Sequence, residues 1–189
     1  MDNLFFDKSK LRSCGKNVII GKTVRIRYPE LVEIGDNVII DDFTYISTSL
    51  KISDYVHISC GCKLIGGRES LVVFGNFSTL SPNVVLAAGT DDYRSGIATP
   101  LVPMEYKADC VQGVIDLGDH CIVGSNSVVL PNVRMDTGSV LGALSLLKKS
   151  TEAWTINAGV PSTRKSTRDK SEILRLQGEF FENCNTNMR

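Results

Sequence analysis

Between Ile34 and Leu64 a large aliphatic residue returns at every sixth position: Ile34, Ile40, Ile46, Ile52, Ile58 and Leu64. Two residues before each later member stands a second filler: Val38, Thr44, Leu50, Val56 and Cys62. A helix repeats every 3.6 residues and a strand every 2, so a period of six satisfies neither. Short extended segments joined by tight corners do satisfy it, each sending a side chain toward a common axis. A short fixed period decides the architecture before any other feature is considered. It specifies a solenoid, whose coils each pack only against their neighbours.

The row starts earlier and runs later than this stretch. It opens at Ile20-Gly21-Lys22-Thr23-Val24-Arg25 and Ile26, then takes extra residues around Tyr28-Pro29. A four-residue insertion around Gly66-Gly67-Arg68-Glu69 resets the phase, and the row resumes at Phe74, Leu80 and Leu86. Residues 87–113 break it. They carry Pro100 and Pro103, with Asp91, Asp92, Tyr93 and Arg94 near the start; a loop this long inside a compact domain is usually functional or disordered, and those residues favour an ordered functional excursion. The row returns at Leu117, Val123, Val129, Met135, Leu141 and Leu147, with Cys121, Ser127, Val133, Ser139 and Ser145 as the partner row. Gly118-Asp119, Gly124-Ser125-Asn126 and Asp136-Thr137-Gly138 suit tight corners. Three segments are therefore expected. Residues 1–17 form a cap over the open end, with a short helix; residues 18–165 form the solenoid with its loop 87–113; residues 166–189 form a helix and tail. In that helix Ile173, Leu176 and Phe180 share one side, and Leu174 and Phe181 make a neighbouring stripe.

Composition removes several function classes. The 189 residues hold 21 Lys+Arg against 21 Asp+Glu, so no net field favours nucleic acid or an anionic membrane. No apolar run approaches the ~20 residues that span a bilayer, and the N-terminus lacks the apolar core of a signal peptide. A cytoplasmic protein is expected, with its six cysteines reduced. Cys60-Gly61-Cys62 has no second cysteine pair to complete a zinc set, so no metal is expected.

The repeat resembles that of the left-handed parallel β-helix acyltransferases, from about Ile20 to Arg168. The resemblance implies an all-β hexapeptide-repeat solenoid, three hexads to a triangular coil, followed by a C-terminal α-helix. Its handedness comes from the resemblance alone, because parallel crossovers are ordinarily right-handed. The segment from Val123 to Val133 is similar to the late coils of bacterial sugar acyltransferases. Leu141-Gly142-Ala143-Leu144-Ser145-Leu146 is similar to the coil lining their coenzyme A channel, and Trp154 to Pro161 resembles their closing segment. Thr90-Asp91-Asp92-Tyr93, with Pro100 to Tyr106, looks like the loop of the subgroup acting on polysaccharide sugars and nucleotide-linked amino sugars. The implied reaction is acyl transfer, most often acetyl, from a coenzyme A thioester to a carbohydrate. Surface polysaccharide or nucleotide-sugar biosynthesis is the implied setting, and a homotrimer with sites between prisms the implied assembly. N-acylation of a nucleotide-linked amino sugar, with little base catalysis, is the alternative. A γ-type carbonic anhydrase on this fold needs three histidine ligands, and the chain has two histidines. A non-catalytic scaffold is the remaining class, against which the loop and closing segment weigh.

The proton acceptor is the open point. Many relatives of this kind place a histidine at the start of the loop, where this chain reads Ala88-Gly89-Thr90-Asp91-Asp92. His120, in the corner Gly118-Asp119-His120, has two readings: a turn residue, or a base oriented by Asp119 or a loop carboxylate. Asp91 and Asp92 are either solvated or set against the acceptor. His57, Ser81, Tyr93 and Arg94 are candidate substrate contacts, with His57 alternatively an interface residue. For coenzyme A, Gly124, Gly142 and Ala143 would line the channel by their backbone. Lys148, Arg164 and Lys165 would meet its phosphates.

Overall fold

The computed structural model describes residues 6–92, 94–99 and 101–186. Every member of the two six-residue rows is buried, from Ile34 and Val38 through to Leu141 and Ser145. They stack into one core that runs the length of a parallel solenoid. Where the inner row turns small and polar, its groups are satisfied within the wall. Ser127 Oγ donates to the Gly142 carbonyl at 2.8 Å and Thr44 Oγ1 to the Ser59 carbonyl at 3.3 Å. Among the described residues no buried side-chain N or O lacks a partner, as a dry core demands.

Each coil crosses three faces. One face is a sheet of short parallel strands, including Ile39–Ile40, His57–Ile58, Thr79–Leu80, Ile122–Val123 and Val140–Leu141. Its C-terminal edge is closed by an antiparallel pair, Thr155–Gly159 with Ser162–Thr167. The other two faces are carried by the two halves of the long strands Tyr45–Ile52 and Lys63–Phe74, which bend from one face into the next. The insertion at Gly66–Glu69 is absorbed within Lys63–Phe74, as a register shift opposite Ser47–Ser49.

The corners explain an unusual backbone. Asn17, Asn37, Tyr55, Phe77, His120 and Trp154 all have φ between 52° and 59°. That left-handed turn lets the amides after Asn17 reach back one coil: Tyr55 N to Asp36 O at 3.0 Å, Phe77 N to Asp54 O at 3.1 Å, His120 N to Asn76 O at 2.8 Å. The same corner carries a spine of side-chain acceptors. Asp36, Asp54, Asn76 and Asp119 each take, through Oδ1, the amide of the matching residue one coil earlier, at 2.6–3.0 Å. From Lys16 to Asn76 every coil's amide at this position is paired in this way.

The C-terminal helix, Ser171–Thr186, packs on that corner. Phe180 and Phe181 meet the stacked rings of Tyr55 and Phe77 edge-on, at 5.2 to 6.4 Å. Leu176 was expected to share the packed side with Ile173 and Phe180, yet it is half exposed, and Gln177 faces the corner instead. At the other end the cap contains a 3-10 turn, Lys8–Lys10, rather than an α-helix. Among the described residues no helix is long and apolar enough to cross a membrane.

Candidate active site

The second corner differs from the first. It starts the same way, with Asp42 Oδ1 accepting the Thr23 amide at 2.8 Å. In the following coils the position of Asp42 is held by Cys60, Pro82, Ser125 and Ala143, and the acidic acceptor column ends. The position before it runs Asp41, Ser59, Ser81, Gly124, Gly142. A Cβ on Gly124 would lie 2.4 Å from the Ala143 amide nitrogen, and one on Gly142 would lie 3.0 Å from the Ala158 Cβ. Small residues there give a smooth strip of backbone along the axis. Such a strip suits a narrow arm that must bond to main-chain groups. The candidate channel residues Gly124, Gly142 and Ala143 all lie on it.

At its C-terminal end the strip meets a cleft of about 210 Å³ lined by Lys149, Thr151, Glu152, Asn157, Thr163 and Arg164. Arg164 is held by Glu152 at 2.7 Å, and Lys165 bonds Thr163 Oγ1 at 3.0 Å. Lys148 is exposed beside this cleft, and Lys149, which the sequence reading passed over, lines it.

The loop leaves from the third corner. Its root is a two-residue antiparallel stem, Gly89–Thr90 with Val111–Gln112. Gly89 and Gly66 lie back to back, since a Cβ on either would strike the other's main chain at 2.6–2.8 Å. Beside them opens a cleft of about 360 Å³ lined by Gly67, Thr90, Asp91, Met104, Lys107 and Cys110, among others. Asp91 is the carboxylate of this cleft. Lys107 Nζ lies 3.5 Å from its Oδ1, with the lysine side chain 9% exposed, and the Cys110 thiol donates to it at 3.2 Å. That bond pushes the Cys110 thiol above its usual range, burial adding to the effect.

Asp92 is engaged otherwise. It accepts from Ser95 Oγ at 2.7 Å and the Arg94 amide at 2.8 Å. Those bonds, the Ser95 hydroxyl first, hold its carboxyl below the usual range. Its role in the structure is to close the turn that carries Arg94, which is exposed. Tyr93 lies outside the described residues. Next to the cleft, Arg68 pairs with Glu30 at 2.9 Å. Arg27 and Arg68 both lie over Tyr28, at 5.5 and 4.9 Å from its ring centre, and Arg25 lies 5.9 Å from the Tyr45 ring.

His120 sits at the first corner, away from the loop. Its imidazole is stacked on Phe77 at 5.0 Å with the planes 7° apart, lies 6.1 Å from Trp154, and donates from Nε2 to Gln177 Oε1 at 3.0 Å. Its carbonyl accepts from Arg168 Nη1 at 2.7 Å. At 9% exposure it occupies the place of a turn residue within the aromatic stack. His57 stands on an open face, half exposed, its Nε2 2.8 Å from Asp41 Oδ2. Asp41 carried no sequence signal, because residues sixteen positions apart become neighbours only through the winding of the coil. Among the described residues no three His, Cys, Asp or Glu are grouped to hold a metal ion.

A solenoid of this geometry, with a loop cleft on one corner and a bare backbone strip on another, places the chain among the left-handed β-helix sugar acyltransferases. Known proteins show that it belongs to this family. No family model matches the chain. It is, however, 33% identical over 185 residues to the dTDP-4-amino-4,6-dideoxy-D-glucose acyltransferase of Escherichia coli, across 95% of this chain and 94% of that one. It also superposes on AntD, an N-acyltransferase from Bacillus cereus, solved with dTDP and 3-hydroxybutyryl-CoA. There the TM-score is 0.88 at 33% identity, covering 97% of this chain and 100% of AntD. A serine variant of AntD, bound to dTDP-4-amino-4,6-dideoxyglucose and coenzyme A, gives a TM-score of 0.89 at 32% identity over 96% and 98% of the two chains. Another AntD variant alters an aspartate ten residues beyond that serine.

Proposed function

We propose that the chain transfers an acyl group from a coenzyme A thioester to the amine of a nucleotide-linked amino sugar. It does so as a homotrimer in the cytoplasm. The observation that carries the reading is the Asp91 carboxylate in the loop cleft. Ser81 and Asp91 stand ten residues apart, the same separation as the two altered positions of AntD. A half-buried carboxylate with a lysine on one side is a seat for an acceptor's polar group, and Lys107, 3.5 Å away, keeps it aimed. Arg25, Arg27 and Arg68, with the rings of Tyr28 and Tyr45 between them, match a diphosphate and a base in charge and stacking.

In this reading Asp91 binds the acceptor amine and orients its lone pair toward the thioester carbonyl. The second corner receives the pantetheine arm along Gly124, Gly142 and Ala143. Gly124 and Gly142 spend their amides on the next coil, so the amides of Ser125 and Ala143, beyond the end of the side-chain acceptor column, are the ones offered to the developing oxyanion. Lys149 and Arg164 meet the phosphates. The trimer is supported by two large apolar residues held at left-handed corners on the outside, Phe43 and Leu144, which are 73% and 70% exposed. A neighbouring prism would cover them.

The test offers acetyl-CoA and 3-hydroxybutyryl-CoA with dTDP-4-amino-4,6-dideoxyglucose and with its 4-hydroxy counterpart, following free thiol and product mass. Amide formation with the amino sugar alone is the expected result. Ester formation on the hydroxy sugar, with the amino sugar inert, would overturn the reading.

A further inference from the structure

Among the described residues lining the loop cleft, Lys107 is the sole cation. Its side chain is 9% exposed, against 38% for the Asp91 carboxylate it faces. An ammonium so far out of water needs a charge partner, and among the described residues Asp91 is the one it has. Both contacts to that carboxylate fall on the same oxygen. Lys107 Nζ lies 3.5 Å from Oδ1, and the Cys110 thiol donates to Oδ1 at 3.2 Å. No described residue donates to Oδ2, which is left to whatever enters the cleft. The two contacts differ in charge. The thiol is a neutral donor, its proton held on by the bond to Asp91 and by burial. The lysine brings a positive charge, so Asp91 and Lys107 together make a seat with no net charge.

That balance matters to an amine. A bare carboxylate within about 4–6 Å stabilises the ammonium form of whatever amine it binds. An ammonium has no lone pair and cannot attack a thioester. A carboxylate already countered at one oxygen still accepts an N–H bond at the other, without surplus charge to keep the extra proton in place. The other ionisable groups nearby do not alter the balance. From the strand Lys63–Phe74 the lining is Gly66 and Gly67, which bring no charge. Arg68 beside them is held by Glu30, and Asp92 is taken by Ser95 and the Arg94 amide. Glu69 and Asp109 are exposed to water. We propose, resting on the amino-sugar reading given above, that Lys107 is a positioning residue that neutralises the Asp91 seat, so that the acceptor amine is held in its neutral, nucleophilic form. On entry the ammonium gives one proton to bulk water. Its nitrogen keeps the lone pair and donates an N–H to Asp91 Oδ2. Lys107 itself touches neither substrate.

The experiment uses the full-length protein with dTDP-4-amino-4,6-dideoxyglucose and acyl-CoA. Amide formation by the wild type is measured first; none at any pH would overturn the amino-sugar reading itself. The pH profile of kcat then reports the acceptor's protonation in the complex. Lys107→Met keeps the length and removes the charge. It should move the acidic limb of the profile upward by about one pH unit, with the alkaline plateau within about threefold of wild type and the KM of the amino sugar no higher. Lys107→Arg should return the limb to its wild-type position. Cys110→Ala removes a bond to the same oxygen but no charge, and should lower kcat severalfold at every pH with the limb in place. A second measurement needs no turnover. Calorimetry on the acidic side of the limb, in buffers of different ionisation heat, should show the wild type releasing a proton as it binds the amino sugar and none as it binds the 4-hydroxy counterpart. Lys107→Met should release none with either. A limb that stays in place or moves downward in Lys107→Met, or moves equally in Cys110→Ala, would overturn the role given to Lys107. So would binding of the amino sugar to the wild type without proton release.

Discussion

Gly138 sits at the paired corner with φ at 72°, in the stack between His120 and Trp154. A Cβ there would meet the indole at 2.3–2.6 Å, at Cε3, Cδ2 and Cζ3. Gly138→Ala therefore carries two costs. Holding an L side chain in the left-handed region costs about 1–2 kcal/mol. Forcing the indole from its seat adds about 1–3 kcal/mol of overpacking. Gly67 separates the two: its φ is 86° and nothing lies within 4 Å of its Cβ position. Gly67→Ala should show only the backbone cost. Urea unfolding followed by fluorescence of Trp154, the one tryptophan in the chain, reads both variants at the corner in question. Gly138→Ala should be less stable than Gly67→Ala by about 1–3 kcal/mol and should shift the native emission, while Trp154→Ala in the same chain, followed by circular dichroism over the same urea series, should remove most of the excess. Equal losses in the two glycine variants, with native emission unchanged, would refute the account of the corner as a packed aromatic stack.

Asp91→Asn should lower kcat/KM for the amino-sugar acceptor at least tenfold with the KM for acyl-CoA unchanged, whereas Asp92→Asn should act mainly by loosening the loop turn; steady-state kinetics with each substrate varied separates them. Arg27→Ala with Arg68→Ala should raise the KM of the nucleotide sugar about tenfold and reduce its salt dependence, with acyl-CoA again unaffected. Cys60 is exposed and should react with Ellman's reagent at once, while Cys62 and Cys121, buried with their thiols pushed upward, should react only as fast as the chain opens. Burial raises Cys62 to about 11 from the ordinary 9.0. Folding thus favours its thiol form, and that share of stability is complete below pH 9 and lost as pH climbs toward 11. Urea midpoints across that window should fall, less steeply in Cys62→Ala.

The core was legible because it is one-dimensional. A single six-residue row names the buried residues of each coil, and Ile34 through Leu147 follow it with one reset and one interruption. Acyl transfer was legible in local strings such as Leu141–Leu146. The roles of the histidines were not. His57 stands one residue before a row member and His120 three before one, at a corner, and neither place by itself names a role. What divides them is the company supplied by other coils: Phe77, Trp154 and Gln177 for one, and Asp41 on an open face for the other. The same holds for Asp91 and Asp92. Adjacent in sequence, they differ because one points toward Lys107 and Cys110, and the other folds back on Ser95.

The stem at Gly89–Thr90 and Val111–Gln112 has a practical meaning. The loop begins and ends at a single rung of a rigid ladder, so its interior is free to change length without disturbing the coils above and below. Doubling such a segment adds only about 0.6 kcal/mol of closure entropy. The protein is in that sense a socket with an interchangeable insert. Residues 91–110 could be exchanged for the corresponding span of a relative with another acceptor, and the chain would keep its stability while changing the sugar it serves.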